Sequence, residues 1–142
     1  MPRKTPTPEQ KAAAEIRRAA LRQLAKDVAA LTDAERTALM MRHGGIRTTV
    51  GRALTTFNSC FVLAQRPTAS VVGGFVQWLT AGRRVKKGAQ AIAIWAPSGR
   101  GKDAQATPAD VEATDEKGRP RCFIVYVFDV ADTEEDAAAS GQ

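Results

Sequence analysis

Residues 65–97 read QRPTASVVGGFVQWLTAGRRVKKGAQAIAIWAP, and the way this stretch divides decides the fold. Pro67 ends the helix before it, because the residue preceding a proline is pushed out of helical dihedrals. Phe75, Trp78 and Leu79 stand three and four apart, the spacing of one helical face, and Gly82 closes that turn. Arg83, Arg84, Lys86 and Lys87 follow, with Lys87 and Gly88 reading as a tight turn. Residues 89–96 alternate weakly, with Ile92 and Ile94 on one side, and predict a strand that stops at Pro97.

That strand needs a partner, and residues 121–130, RCFIVYVFDV, supply one. Cys122, Ile124, Tyr126 and Phe128 point one way and Phe123, Val125 and Val127 the other, so both faces are expected to be covered. Residues 98–120 between the two strands are polar and glycine-bearing and predict a long hairpin loop, with a brief turn of structure near 109–113.

Upstream the pattern is helical. Residues 9–31 are rich in Ala, Gln, Lys, Arg and Leu, with Thr7 and Pro8 at the start and Ile16, Leu21, Leu24, Val28 and Leu31 as the inward stripe. Thr32 or Asp33 caps a second, short helix that the pair Gly44 and Gly45 breaks. Residues 46–54, IRTTVGRAL, read as an irregular segment leading into a third helix that ends at Gln65. The expected fold class is therefore α+β: N-terminal helices on a small antiparallel sheet, with a long loop between the last two main strands. Its 142 residues suit one domain over 9–131, with a disordered basic segment at 1–8 and a detached acidic tail at 132–142.

Charge is distributed unevenly. Residues 1–100 hold 17 Lys and Arg against 5 Asp and Glu, whereas residues 101–142 hold 4 against 10. Between Glu35 and Asp103 there is no carboxylate, so that part of the chain predicts a surface that expects anions, against the plainer reading of a solubilising face.

Several chemistries lack their residues. His43 is the sole histidine, which removes histidine clusters and the HExxH metalloprotease arrangement. No GxxxxGK[ST] element occurs, and the acids at 129–136 lack the fixed spacing of a metal loop. No enzyme, metal or cofactor is expected. Two cysteines, Cys60 and Cys122, make no disulfide framework; two small buried thiols in a reducing cytoplasm are the default and a single bridge the alternative. No apolar run has membrane-spanning length and no signal-peptide core follows Met1, so a soluble cytoplasmic protein is expected.

The constructive case is nucleic-acid binding. Arg83, Arg84, Lys86 and Lys87 cannot all face inward, because burying unpaired charge is too unfavourable. Each can neutralise a phosphate, helped by Arg52 and Arg66. Phe75 and Trp78 are the nearest rings for stacking on unpaired bases, and Trp95 is a second candidate platform, since its parity sets it opposite Ile92 and Ile94. For both tryptophans core packing is the rival reading.

Three blocks carry a resemblance: NSCFVLAQRP at 58–67, GFVQWLTAGRRVKKGAQAIAIWAP at 74–97 and VFDVADTE at 127–134. In order and spacing they resemble the single-stranded-DNA-binding N-terminal domain of ArdC antirestriction proteins and TraC-type conjugative primases. The resemblance covers residues 50–134 and implies Asn58, Gln65, Trp78, Gly82, Arg83, Val85, Lys87, Gly88 and Pro97 as matched positions. It implies helices against a small antiparallel sheet and sequence-independent binding of single-stranded DNA for a plasmid or phage. Protection of entering DNA and help in its replication or transfer are both compatible with it. Leu54 and Thr55 stand where the family commonly has Tyr-Ser, and Ala131 and Asp132 where it has Ser-Gln. ArdC-like proteins continue into a metalloprotease-like domain with HExxH; these 142 residues contain no such motif, so peptidase activity is not carried over. The expected partner is single-stranded DNA bound by a monomer. The alternatives are an inhibitor that binds a host nucleic-acid enzyme, and a binder of duplex DNA or RNA.

Overall fold

The computed structural model describes residues 5–97, 116–118 and 122–136. The hairpin loop, the N-terminal Arg3 and Lys4 and the tail beyond residue 136 otherwise lie outside the described residues.

Two helices open the chain, each started by the same local device. Helix α1 (Pro8–Ala30) is capped by Thr7, whose Oγ1 accepts from the Gln10 amide at 3.1 Å while the Gln10 side chain accepts from the Thr7 amide at 2.9 Å. Helix α2 (Asp33–His43) repeats this capping box with Thr32 and Glu35. The Thr32 amide, donating to Glu35, holds that carboxyl below its ordinary range.

Leu21, Leu24, Ala25 and Val28 of α1 pack inward as the periodicity requires. Ile16 does not: it is 70 % exposed, because the first part of α1 runs out beyond the elements that would cover it. At the other end Arg36 is buried rather than part of the cationic surface. Its guanidinium donates to the carbonyls of Val28, Ala29 and Leu31 and pairs with Asp33. It thus satisfies the last carbonyls of α1, which have no partner within their own helix.

Residues 46–54 are more ordered than their sequence suggests. They form a tight finger in which the Leu54 amide donates to the Ile46 carbonyl at 2.9 Å and the Thr48 amide to the Arg52 carbonyl at 2.8 Å. The finger contains β1 (Arg47–Thr48). Helix α3 (Thr56–Gln65) follows, with Phe57 through Leu63 all buried.

The main sheet has the order β1-β2-β5-β4, with β2 (Val71–Gly73), β4 (Ile92–Pro97) and β5 (Cys122–Asp129). β4 and β5 pair antiparallel, from Ile92 opposite Val127 to Pro97 opposite Cys122. β2 joins β5 antiparallel, and only the short β1–β2 edge is parallel. The expectation that both faces of β5 are covered holds only in part: Cys122 and Val127 are buried on opposite faces, but Phe123 and Tyr126, also on opposite faces, stay about half exposed. Ala93, Trp95 and Cys122 pack with α1 and with Phe57, Cys60 and Phe61 of α3, while Ile92 and Val127 pack with Ile46, Leu54, Val62, Leu63 and Val72. Helix α3 serves both clusters because it lies along the open edge of β4. Each large apolar side chain so buried contributes about 1.5–3 kcal/mol. Cys60 and Cys122 are buried thiols not joined in a disulfide, and burial pushes the Cys60 thiol up.

The short helix α4 is Phe75–Thr80, and Gly82 (φ 82°) reverses the chain after it in a conformation that favours glycine. Two further strands are too short to read from sequence. β3 (Arg83–Val85) occupies the cationic segment, and β6 (Thr133–Glu135) lies in what reads as the acidic tail. They form a separate antiparallel pair, Arg83 opposite Glu135, Arg84 opposite Glu134 and Val85 opposite Thr133.

Candidate nucleic-acid interface

Of the expected site residues, Asn58 and Gln65 are architectural. Asn58 is fully buried; its Nδ2 donates to the Trp95 carbonyl at 3.0 Å and its Oδ1 accepts from the Trp95 amide at 3.0 Å. Gln65, two turns further along α3, treats Ala93 in the same way, at 2.8 Å to the carbonyl and 2.9 Å from the amide. The two carboxamides therefore replace a missing neighbour strand along β4. Neither side chain has its polar atoms turned toward an external ligand.

Both tryptophans are core residues, which corrects the stacking role weighed for them. Trp78 is 3 % exposed and its indole donates to the Phe128 carbonyl at 2.9 Å, pinning α4 to β5. Trp95 is 4 % exposed and packs against Phe61 with ring centroids 6.1 Å apart. Its parity does set it opposite Ile92 and Ile94, but α1 and α3 cover that face. A buried ring cannot stack on a base.

The cations differ in their exposure and in the partners they touch. Arg66 makes a two-pronged ion pair with Asp132, which raises the arginine's proton affinity and holds the Asp132 carboxyl below the usual carboxylate range. Arg83 donates through Nε to Thr133 Oγ1 at 2.7 Å and through Nη2 to the Thr133 carbonyl at 3.1 Å. Arg84 pairs with Glu134 at 2.9 Å, both ends staying solvent-exposed. Lys86 and Lys87 are exposed at the turn that follows, as is Arg52 on the finger. Arg47 is exposed on the finger as well, its guanidinium donating to the Gly51 carbonyl at 3.1 Å.

Three aromatic rings face outward among the described residues: Phe123 and Tyr126 on β5, 51 % and 48 % exposed, and, most of all, Phe75 on α4. Phe75 is 61 % exposed and rests against Phe128 with centroids 4.8 Å apart, while Val76 and Leu79 beside it are also exposed. Three large apolar side chains thus project from a six-residue helix whose opposite side is held by Trp78. The strand leading into α4 lies against the finger: a Cβ placed on Gly73 would fall 2.6 Å from Thr49 Cγ2 and 3.3 Å from the Trp78 indole nitrogen. Only glycine allows the finger, β2 and α4 to meet so closely. On its far side, α4 runs through Gly82 directly into β3 and the lysine turn. The sequence signal for Phe75 was its spacing from Trp78. Which of the two is buried follows from how α4 docks on β5.

Among the described residues, no group of three or more His, Cys, Asp or Glu side chains could hold a metal ion, and no helix is long and apolar enough to cross a membrane. No protein-family model and no curated protein matches the chain. Among solved structures, the chain is similar to the antirestriction protein ArdC of the R388 plasmid in its Mn(II)-bound form, with a TM-score of 0.45 and 15 % identity over 73 % of this chain. It spans 40 % of that protein's length. A likeness at this level carries no argument about activity.

Proposed function

We propose that this chain is a non-catalytic protein that binds single-stranded DNA without regard to sequence, through the outer face of α4 and the cations on either side of it. The observation that carries the reading is Phe75: a ring 61 % exposed on a helix fixed from behind, between the cationic finger and the lysine turn. Unpaired bases offer flat faces to such a ring, and Arg47, Arg52, Lys86 and Lys87 are exposed cations of the kind that neutralise their phosphates. A duplex keeps its bases stacked and offers only their edges in the grooves, so an exposed phenylalanine on a short helix has nothing to stack upon there. The preference for DNA over RNA, and service to a plasmid or phage, are what the resemblance of the blocks at 58–67, 74–97 and 127–134 implies.

Fluorescence anisotropy with matched single-stranded DNA, duplex DNA and RNA over a salt series tests this. Micromolar or tighter binding that prefers the single strand and weakens steeply with salt is expected. Equal affinity for the duplex, or no binding at low salt, counts against it.

A further inference from the structure

The acidic strand β6 lies on the cationic strand β3 with charges matched in register, Arg84 opposite Glu134 and Arg83 opposite Glu135. Its two ends are held differently. At the start, the Asp129 carboxylate, itself buried, accepts from the amides of Ser70 and Ala131, and the Asp132 carbonyl accepts from the Lys86 amide at 2.8 Å. Thr133 is buried and donates its hydroxyl to the Val130 carbonyl at 2.7 Å, while Arg66 grips Asp132. Beyond Thr133 the strand stays paired to β3 at Glu134 and Glu135, and the Asp136 amide donates to the Gly82 carbonyl, but the Glu134 side chain itself is held by the exposed pair with Arg84.

Resting on the single-strand reading above, we infer that Glu134 is a built-in stand-in for a phosphate: it occupies Arg84 in the free protein and gives way when a polyanion arrives. A carboxylate presents acceptor oxygens to a guanidinium much as a phosphate does, and a pair exposed at both ends contributes little that a phosphate must overcome. The backbone pairing of β3 and β6 stays in place while the exposed Glu134 side chain alone turns away from Arg84. The clasp thus lowers affinity for isolated anions more than for a long strand, which contacts Phe75 and the lysine turn at the same time.

A double-mutant cycle on the full chain tests this, with Glu134→Gln, Arg84→Gln and both together, each titrated with a labelled oligothymidylate over a salt series. Glu134→Gln is expected to tighten binding by about threefold at low salt and to steepen the salt slope by about one unit, the signature of one more cation open to phosphate. In the Arg84→Gln background that gain is expected to disappear. If the gain persists there undiminished, Glu134 acts only through the general field and the clasp is overturned. It is equally overturned if Glu134→Gln changes nothing while the wild type binds, an outcome that leaves the single-strand reading standing. Binding by Glu134→Gln alone supports the clasp; failure of all four proteins to bind overturns both proposals.

Discussion

The carboxamide of Asn58 holds both backbone groups of Trp95, one accepting and one donating, each at 3.0 Å. A helix side chain therefore completes the ladder of β4, and Gln65 repeats the contact at Ala93. Closing an open edge in this way also denies it to other chains, which would otherwise pair with its free amides and carbonyls.

Asn58→Ala should lower stability by about 1–3 kcal/mol, because it leaves the Trp95 amide and carbonyl buried without their partner. Urea unfolding reads this directly. The folded fraction should bind oligonucleotide as tightly as the wild type; a separate loss of affinity would make Asn58 a contact residue after all.

The two tryptophans should respond differently to the same change. Trp78→Phe loses the indole bond to the Phe128 carbonyl, whereas the buried Trp95 indole nitrogen has no hydrogen-bond partner among the described residues. With equal loss of ring volume, Trp78→Phe is expected to be less stable than Trp95→Phe by about 1 kcal/mol. Matching unfolding midpoints would contradict the assignment.

Phe75→Ala should keep its circular dichroism spectrum and most of its stability, since the ring is largely outside. Its affinity for a single strand should fall by about 1–3 kcal/mol, the range found for one stacked base. Unchanged affinity would remove Phe75 as the platform.

Stability should decline in acid through Asp132. Its carboxyl is held below the ordinary range by the hydrogen bond and charge of Arg66, so the folded state favours the ionised form. That contribution is fully present above the unfolded value and is lost as pH falls through the folded one, that is, below about pH 4. Asp132→Asn should be less stable than the wild type at neutral pH, and the gap should close below that pH. A gap that does not vary with pH would show the ion pair to be energetically idle.

Cys60 should be unreactive toward a thiol reagent at mildly alkaline pH in the native protein. It is fully buried, and burial holds its thiol above the usual range. Denaturation should release both cysteines to rapid labelling.

Much of the fold was legible because its signals are local. The start signals at Thr7 with Pro8 and at Thr32 or Asp33, the spacing of Leu21, Leu24 and Val28, and the apolar run of β5 each act within a few residues, so they mark helices and the central strand directly. β1, β2, β3 and β6 were not legible as strands, because two or three residues cannot display an alternation. Their order comes from partners far along the chain, as with Arg83 opposite Glu135.

For the candidate site the division is sharper. The amino-acid order alone determined that this chain has a cation-rich segment, an α4 bearing two rings, and an acid-rich end. Only the tertiary structure decided that Trp78 turns inward while Phe75 turns out, that Asn58 and Gln65 close a sheet edge, and that Arg66 and Arg84 meet acids. The reason is physical: a residue's charge and shape are its own, but its burial and its partner depend on which distant surface it is packed against.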